Sequence, residues 1–521
     1  MNTTDLITAI QNGEIDKLKS VLEVSKYAYF IADSFNAVQI GMPINKDAFH
    51  VKDFKEYNPR QHDINSPYTR KDKQITDEAG NLTDLVKVAR LSLPEQKKIV
   101  LMASAFLGSP ELTATPKEGI ETDLFSIINT ISEDNKLNYK FMEITKKTMS
   151  ERESAELWYT QAAEPDYWDG TPMEGNKFKL RMRILSPSLG DTLYPIWDEF
   201  GDMIAFGRYY ETVTESIDGV LTSSIGNKIL HFDIYTADRF YFMTKDSAEA
   251  DWVSSTDPNS NTVGIANPIG KIPVVYYSQP TTEWHDVQGL IDRLEMKLSN
   301  LADTNDYFDS PIMVASGQVK GFADKGEQGK LLELENGADL KYLTWDSAPE
   351  SMKLEIETLV NNIGVYTHTP NISLDNLKNL GRLTGIALKL LFMDAHLKAQ
   401  DKEELFGQGV QRRMNYLKAA IGVMDPKFKA AKRLIITPEF EYFLPKDEDG
   451  EVVTIIAAYT AGILSLETAV KRNPLVEDAL AEMALIKAET DAKDAKAAQL
   501  AIDNAALAQK TAPNTQKIPN N

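Results

Sequence analysis

The clearest helical pattern in the chain lies in residues 282–308. Apolar side chains recur there at three- and four-residue spacing, which predicts a helix with one apolar stripe. The stripe consists of Val287, Leu290, Ile291, Leu294, Leu298 and Leu301. The rest of the helix surface is mainly acidic and carries Asp286, Asp292, Glu295, Asp303 and Asp306. An ordinary solvated face and an acidic surface with a function are both open interpretations of these carboxylates.

Residues 155–277 contain short runs rich in β-branched and aromatic residues, mostly bounded by Gly, Pro, Asn or Asp, as strands are. The runs are AELWYT, FKLRMRIL, MIAFGRYYE, KILHFDIYT, RFYFMT and IPVVYY. Few segments of helical length separate them, so we predict a β-rich domain of antiparallel character. Upstream, residues 56–81 have the composition of an exposed loop, and residues 82–108 have a mostly helical texture that ends at Gly108. The aromatic residues of GRYYE and RFYFMT could stack on bases, but core packing is the commoner role of such side chains.

A polar loop separates two further helical patterns. Residues 310–346 form a compact insert with three short strand-like runs and Gly-rich turns, and a helix is predicted for 351–368, before Pro370. The loop at 371–383 contains Lys378 and Arg382 and runs into a long helix from Thr384 to about Ala420. Gly407 and Gly409 are potential bends in that helix.

The long helix has apolar residues on two sides. One stripe comprises Ile386, Leu390, Met393 and Leu397, and the opposite stripe comprises Leu388, Phe392, Ala395 and Ala399. We therefore expect this helix to pack on two faces. Downstream, KDEDGE (446–451) predicts a tight turn between strands. Residues 453–487 predict helix interrupted at Asn473-Pro474, and the Ala-rich stretch after them predicts a solvated helix and a disordered tail.

Composition narrows the class of protein. With 521 residues the chain can bury several cores, and its net charge of -21 argues against a conventional nucleic-acid binder, though not against a protein that lets DNA pass without sticking. Cysteine is absent, which excludes disulfides and thiol catalysis. The N-terminal sequence lacks a signal-peptide pattern, and the best apolar run, IVLMASAFLG, is far shorter than a membrane span. We expect a soluble protein made in the cytoplasm, with no membrane partner.

Motifs that identify enzymes are missing. The sequence has no GxxxxGK[ST] loop, no HExxH and no GxSxG, and its 6 histidines are scattered. Asp394 and His396 would point to different sides of a helix and make a poor metal pair. KDEDGE lacks the full ligand spacing of a calcium loop. We therefore predict no enzyme, no cofactor and no metal site, while the abundant carboxylates leave a metal-dependent hydrolase or nuclease open as an alternative.

Taken in order, several segments resemble the portal protein, the head-to-tail connector of tailed double-stranded-DNA bacteriophages. The clearest matches are NPIGKIPVVYYSQPTTEWHDVQGLIDRLEMKLSNLADTNDYFDSPIMVASG, LKYLTWD, THTPNISLDNLKNLGRLTGIALKLLFMDAHLKAQ and AGILSLETAVKRNPLVEDALAEMALIKAE. The similarity runs from about residue 80 to 490 and rests on the order of the segments. It departs from the family just before the long helix, where Arg382-Leu383-Thr384 replaces a run of small residues.

The resemblance implies an α+β, multidomain portal fold. Its parts would be a β-rich wing (1–281), two paired stem helices (282–308 and 347–369) around a small α/β clip (309–346), and a tunnel loop (370–383). The long wing helix with the wing return (384–452) and a helical crown with the C-terminal tail (453–521) would follow. The second face of the long helix would then contact a neighbouring subunit.

The same resemblance implies a ring of subunits, typically a dodecamer, at the capsid portal vertex of the virion, through which DNA is packaged and ejected. Its implied partners are the terminase large subunit, neck or adaptor proteins, major capsid and scaffolding proteins, and double-stranded DNA held without sequence specificity. Asn376, Lys378, Asn379 and Arg382 would contact DNA from the tunnel loop, and the acidic residues of 282–308 would form an acidic stem surface. Another ring-forming neck protein is a second alternative.

Overall fold

The computed structural model describes residues 3–31, 47–77, 82–213, 228–246, 250–258, 262–308, 312–316, 319–320, 333–334, 339–343, 349–370, 392–440, 442, 448–476 and 478–511. Helices in these residues are α1 (Thr3–Gln11), α2 (Ile15–Ile31), α3 (Asp47–Tyr57), α4 (Glu95–Leu107), α5 (Gly119–Asp134), α6 (Leu137–Glu151), α7 (Gln288–Phe308), α8 (Pro349–Tyr366), α9 (Met393–Met424), α10 (Glu448–Thr460), α11 (Leu466–Arg472) and α12 (Ala479–Thr511).

Strands alternate with these helices, so the fold is mixed α+β, as predicted. They are β1 (Lys73–Thr76), β2 (Leu82–Val86), β3 (Pro110–Ala114), β4 (Glu153–Ala162), β5 (Phe178–Leu185), β6 (Thr192–Trp197), β7 (Met203–Val213), β8 (Lys228–Thr236), β9 (Arg239–Lys245), β10 (Val253–Ser254), β11 (Ile265–Ala266), β12 (Val274–Ser278), β13 (Ile312–Ser316), β14 (Val319–Lys320), β15 (Glu333–Leu334), β16 (Asp339–Leu343) and β17 (Ile436–Phe440).

The β-rich region forms two antiparallel sheets. One has the order β10-β9-β8-β7-β6, with β11 also paired to β9, and the other has the order β12-β4-β5. Antiparallel strands at 155–277 are therefore confirmed, although the sequence patterns missed β6. Successive residues of β7 serve different cores, because Ala205 packs with one hydrophobic cluster and Phe206 with another. The larger sheet is thus buried on both faces.

The first helices cover one face of the larger sheet. Buried apolar residues of α1 and α2 recur every three or four positions and pack on the rings of Tyr194, Phe232 and Tyr241. These residues are Leu6, Ile10, Ile15, Leu18 and Leu22. The chain reverses between the helices at Gly13, whose φ of 72° lies in the left-handed region that glycine adopts without strain. The N-terminal helices are therefore part of the domain core.

The long helix α9 runs through the main core without interruption from Met393 to Met424, and Gly407 and Gly409 lie within it. Gly409 has a packing role, because a Cβ there would meet Cε1 of Tyr277 at 2.0 Å. The predicted start at Thr384 lies outside the described residues.

Only one of the two predicted apolar stripes of α9 is buried in its described part. Phe392, Ala395 and Ala399 are buried, whereas Met393 and Leu397 are 50% and 54% exposed. The interior of this chain therefore occupies one face of the helix and leaves the first residues of the second face uncovered.

The insert between α7 and α8 contains two antiparallel pairs, β13 with β16 and β14 with β15. The helical part of the predicted α/β clip has no counterpart among the described residues of the insert. Two expectations upstream are corrected as well, because β1 and β2 form an antiparallel ribbon where a loop and helical texture were predicted. The strands contain the apolar residues Ile75, Leu82, Leu85 and Val86, but the sequence on either side of them masked the strand pattern.

Residues 448–476 and 478–511 belong to a separate compact unit. Within it, Ser465 caps α11 by accepting a hydrogen bond from the backbone N–H of Thr468 at 3.2 Å. The predicted interruption at Asn473-Pro474 is confirmed, because α11 ends at Arg472 and α12 begins at Ala479. The predicted turn at KDEDGE is wrong from Glu448 onward, since that residue begins α10. The described side chains of α12 are mostly exposed, as the Ala-rich sequence predicted.

Candidate functional site

Helices α7 and α8 flank the insert and pack against each other. Apolar side chains close their interface, with Ile291 and Leu294 of α7 and Leu359 and Ile363 of α8 all buried in the main core. At the surface of the pair, Glu355 of α8 takes part in two ion pairs with α7, at 2.9 Å from Nη2 of Arg293 and 2.7 Å from Nζ of Lys297. The hydrogen bond from Lys297 is the main cause that lowers the pKa of Glu355.

A second side of α7 is held by an N-terminal segment, residues 58–93. Nδ1 of the buried His62 lies 2.7 Å from Oε1 of Glu295, and its Nε2 lies 2.7 Å from the backbone carbonyl oxygen of Glu56. Both partners are acceptors, so an imidazole that bonds to both must carry a proton on each nitrogen. Burial by itself would lower the pKa of His62, but the carboxylate of Glu295 outweighs it and the pKa is raised. The site therefore favours the imidazolium.

Further along α7 the same segment is fixed by Asp303. Its Oδ2 accepts from Nη2 of Arg70 at 2.5 Å, and its Oδ1 accepts from the backbone N–H of Ala89 at 2.7 Å. Arg70 also donates to Asn300 at 2.6 Å. The polar side of α7 thus binds the chain's own N-terminal segment over much of its length.

These contacts correct the predicted acidic surface. Glu295 is 1% exposed and faces His62, so its prediction as a surface residue is wrong, and Asp303 is partly buried beside Arg70. Asp286, Asp292 and Asp306 are exposed, as predicted. The partners His62 and Arg70 lie more than 200 positions away in sequence, so helical periodicity could not reveal them.

The structure clamps together the two ends of the segment that links α8 to α9. Nζ of Lys398, in the second turn of α9, donates to the backbone carbonyl of Thr367, just beyond α8, at 2.9 Å. The buried Glu283 pairs with Lys398 at 2.8 Å and with Lys402 at 2.6 Å. Burial alone would raise the pKa of Glu283, but the two ammonium groups outweigh it and the pKa is lowered. The carboxylate is therefore ionised and holds both lysines.

Beyond Thr367 the chain is fixed by close backbone packing. Thr369 donates its N–H to the carbonyl of Gly364 at 2.8 Å, and a Cβ on Gly364 would lie 3.1 Å from the carbonyl oxygen of Thr369. At the other end, the ring of the buried Phe392 lies 5.6 Å from that of Phe106. The segment 371–391 is thus framed by two well-anchored ends.

The predicted DNA-contacting residues Asn376, Lys378, Asn379 and Arg382 lie in that segment, outside the described residues. Sequence reasoning also missed the clamp that frames it. Lys398 and Lys402 stand four apart on one helical face, which is a visible signal for a shared anionic partner, but nothing local identifies that partner as Glu283.

A buried polar cluster holds the middle of α9 against the smaller sheet. Arg413 donates from Nε to both carboxylate oxygens of Glu156 on β4, at 3.1 and 2.9 Å, and makes a further bond through Nη2. The hydroxyl of Tyr277 on β12 donates to the same carboxylate at 2.6 Å. Burial, followed by the charge of Glu156, raises the pKa of Tyr277. The cluster fixes the position of the helix on the sheet.

Two further findings bear on function. Among the described residues, no three His, Asp or Glu side chains come together as metal ligands. Asp394 is exposed, and the ring of His396 packs edge-on against Tyr442 with 4.9 Å between centroids. Every helix in the described residues is too short or too polar to cross a bilayer.

A family model described as phage portal protein, SPP1 Gp6-like, matches residues 54–496. No curated protein matches the sequence significantly. Among solved structures, the chain is similar to one from the neck of a native GTA particle computed with C12 symmetry, with 12% identity, a TM-score of 0.36, and coverage of 73% of this chain and 89% of that chain. It is also similar to one from the neck of an empty GTA particle computed with C6 symmetry, with 11% identity, a TM-score of 0.37, and coverage of 71% and 87%.

Proposed function

We propose, on the premise that this chain belongs to the SPP1 Gp6-like family of phage portal proteins, that its copies form a ring around a DNA channel at one capsid vertex. The match over residues 54–496 is the observation that carries this proposal. The ring is a dodecamer through which double-stranded DNA enters during packaging and leaves during ejection. Its role is structural rather than enzymatic.

The elements take the roles that the family implies. Residues 1–281 form the wing, 282–308 and 347–369 the stem helices, and 309–346 the clip, on which the terminase large subunit and later the neck or adaptor proteins dock. Residues 370–383 are the tunnel loop, 384–452 the long helix and wing return, and 453–521 the crown and tail. Capsid and scaffolding proteins contact the ring from outside. The order α7, insert, α8 and α9 supports this arrangement.

The acidic stem surface keeps DNA mobile in this proposal. Asp286, Asp292 and Asp306 are exposed, and negative side chains at a channel wall repel phosphates and prevent a deep binding well. The proposal keeps these three of the predicted residues, because Glu295 and Asp303 bind the N-terminal segment.

The tunnel loop makes the close contacts with DNA. Its Lys378 and Arg382 bind phosphates without reading the base sequence, and Asn376 and Asn379 lie beside them in the sequence. The clamp formed by Thr367, Lys398 and Glu283 supports this role, because it fixes both ends of the segment that carries the loop. A loop with fixed ends can present basic groups at a defined height in the channel.

Electron-microscopy class averages of the purified full-length protein test the proposal. Closed rings with a central channel are expected, and images that show only monomers or filaments would contradict the proposed function. A variant with Lys378→Ala and Arg382→Ala then tests the loop, since it should assemble normally but lower the yield of packaged genomes. Normal packaging by that variant would remove the loop's role and leave the ring standing.

A further inference from the structure

The two-stranded ribbon of β1 and β2 exposes every side chain of both strands. Ile75 pairs with Asp84 and Val86 pairs with Lys73, so Ile75 and Val86 share one face, whereas a register shift places Leu82 opposite Thr76 on the other face. Ile75 and Val86 are 46% and 43% exposed. A lone two-stranded hairpin is marginally stable in water, and exposed apolar residues on it are typical of an interaction surface.

The base of the ribbon is rigid. Nη2 of Arg90 donates to Oδ1 of Asp72 at 2.8 Å and to the backbone carbonyl of Arg70 at 2.7 Å, which ties the two strands together where they leave the domain. Arg70 in turn binds Asp303 of α7. The base of the ribbon is therefore anchored to α7 through Arg70.

A groove of about 1200 Å³ runs beside α9 in the same compact unit. Its apolar lining includes Trp197, Tyr366 and Leu397, which are 40%, 64% and 54% exposed. These side chains continue the uncovered face at the start of α9. The groove thus offers an apolar surface large enough for several side chains.

The charges of the groove and the ribbon are complementary. Asp286, Asp401 and Glu404 line the groove and are exposed, whereas its two lysines, Lys398 and Lys402, are already held by Glu283. Arg412 is the remaining Lys or Arg side chain in the groove. The balance of unneutralised charge there is therefore negative.

At the ribbon, Lys71, Lys73 and Lys87 are exposed and form no ion pair within the part of the chain that the structure describes. The acid at its base, Asp72, is paired with Arg90. The exposed lysines of the ribbon outnumber its exposed acids, Asp77 and Asp84, so a ribbon with an excess of positive charge matches a groove with an excess of carboxylates.

We propose that the ribbon of one copy docks into the α9 groove of the next copy. Lys73 and Lys87 then face Asp401 and Glu404, while Ile75 and Val86 cover Leu397 and Tyr366. The ribbon and the groove are different surfaces of the same chain, so the contact is head-to-tail, which is the type of contact that closes cyclic rings. This inference rests on the proposed ring and assigns part of its subunit interface.

Because the chain has no cysteine, crosslinking can test the contact cleanly. A variant with Val86→Cys and Leu397→Cys, treated with a short bismaleimide, should give a ladder of crosslinked multimers on denaturing gels. Each single variant should give at most dimers. The matched control combines Val86→Cys with Tyr139→Cys, because Tyr139 is 78% exposed and lies outside the groove, and it should give no ladder.

Charge reversal provides an independent test. Lys73→Glu with Lys87→Glu should reduce ring assembly about tenfold, and Asp401→Lys with Glu404→Lys on the same chain should restore it. The control pair Lys117→Glu and Lys177→Glu changes the net charge equally at exposed sites away from the ribbon and should assemble normally.

The outcomes separate the two proposals. If the wild-type protein forms rings, but the Val86→Cys, Leu397→Cys variant gives no ladder and the lysine reversal is tolerated, this inference is overturned and the proposed function stands. If the double-cysteine variant gives a ladder but the wild-type protein never closes into rings, the contact is supported and the proposed function is contradicted.

Discussion

Two regions of this molecule hold helices by ion pairs, and they do so in opposite environments. Arg413 and Glu156 lie in the core, where their side chains are 3% and 0% exposed, and they fix α9 to β4. Glu355 joins α8 to Arg293 and Lys297 of α7 at the surface, where its side chain is 35% exposed. The same chemistry therefore has different consequences at the two sites.

The difference lies in what replaces the bond when it breaks. A buried carboxylate that loses its partner cannot form hydrogen bonds to water instead, so breaking the pair costs much free energy. The pair therefore holds the helix in one position. An exposed carboxylate exchanges its partner for water at little cost, so the bond adds little to stability. We infer that α9 is a fixed scaffold, whereas the outer contact between α7 and α8 can be remade.

The largest effect should come from breaking the buried pair. Arg413→Met leaves the carboxyl group of Glu156 in the core without its partner and should lower the free energy of unfolding by about 3–5 kcal/mol, measured by denaturant titration. Adding Glu156→Gln to that variant should recover much of the loss. A loss no larger than that of an exposed pair would show that the burial of this pair does not matter.

The close packing of α9 gives the next effect. Gly409→Ala places a methyl group where Tyr277 already lies and should destabilise the protein by about 1–3 kcal/mol. Gly407→Ala is the matched control, since its Cβ would meet atoms at 3.8 Å or more and should stabilise the helix by about 0.5–1 kcal/mol. Equal effects at both positions would contradict the close contact between Gly409 and Tyr277.

His62 extends the comparison to a buried pair that titrates. Its pKa is raised in the folded protein, so its stabilising contribution is complete below the unfolded pKa of about 6.5 and is lost as the pH rises through the folded value. Wild-type stability should therefore fall over that window relative to His62→Gln. If the two proteins show the same pH dependence, the imidazolium is not the form that binds Glu295.

The smallest effect is expected at the surface. Glu355→Gln removes both ion pairs to α7, yet the unfolding midpoint should hardly move, and any shift should vanish at high salt because exposed charges are screened. A loss of stability comparable to that of Arg413→Met would mean that the α7–α8 contact is as rigid as the contact between α9 and β4.

The sequence predicted the elements better than their partners. Periodicity located α7, α8 and the antiparallel strands because apolar spacing directly reflects which side of an element is buried. It failed for Glu295 and Asp303, which share the outward positions of α7 with exposed acids. Composition also concealed β1 and β2, since β1 lies in a polar segment and β2 is too short to show a clear alternation, so the strands became visible only through their pairing.

By itself, the sequence determined the order of elements, the antiparallel character of the β-rich region, the family resemblance and the acidic balance of the chain. These properties follow from local spacing and from counts. Only the tertiary structure decided that Glu295 binds His62, that Glu283 holds Lys398 and Lys402, and that Gly409 makes room for Tyr277. Such contacts join residues more than 100 positions apart. The spacing of residues along the chain does not indicate which distant side chain will be the partner.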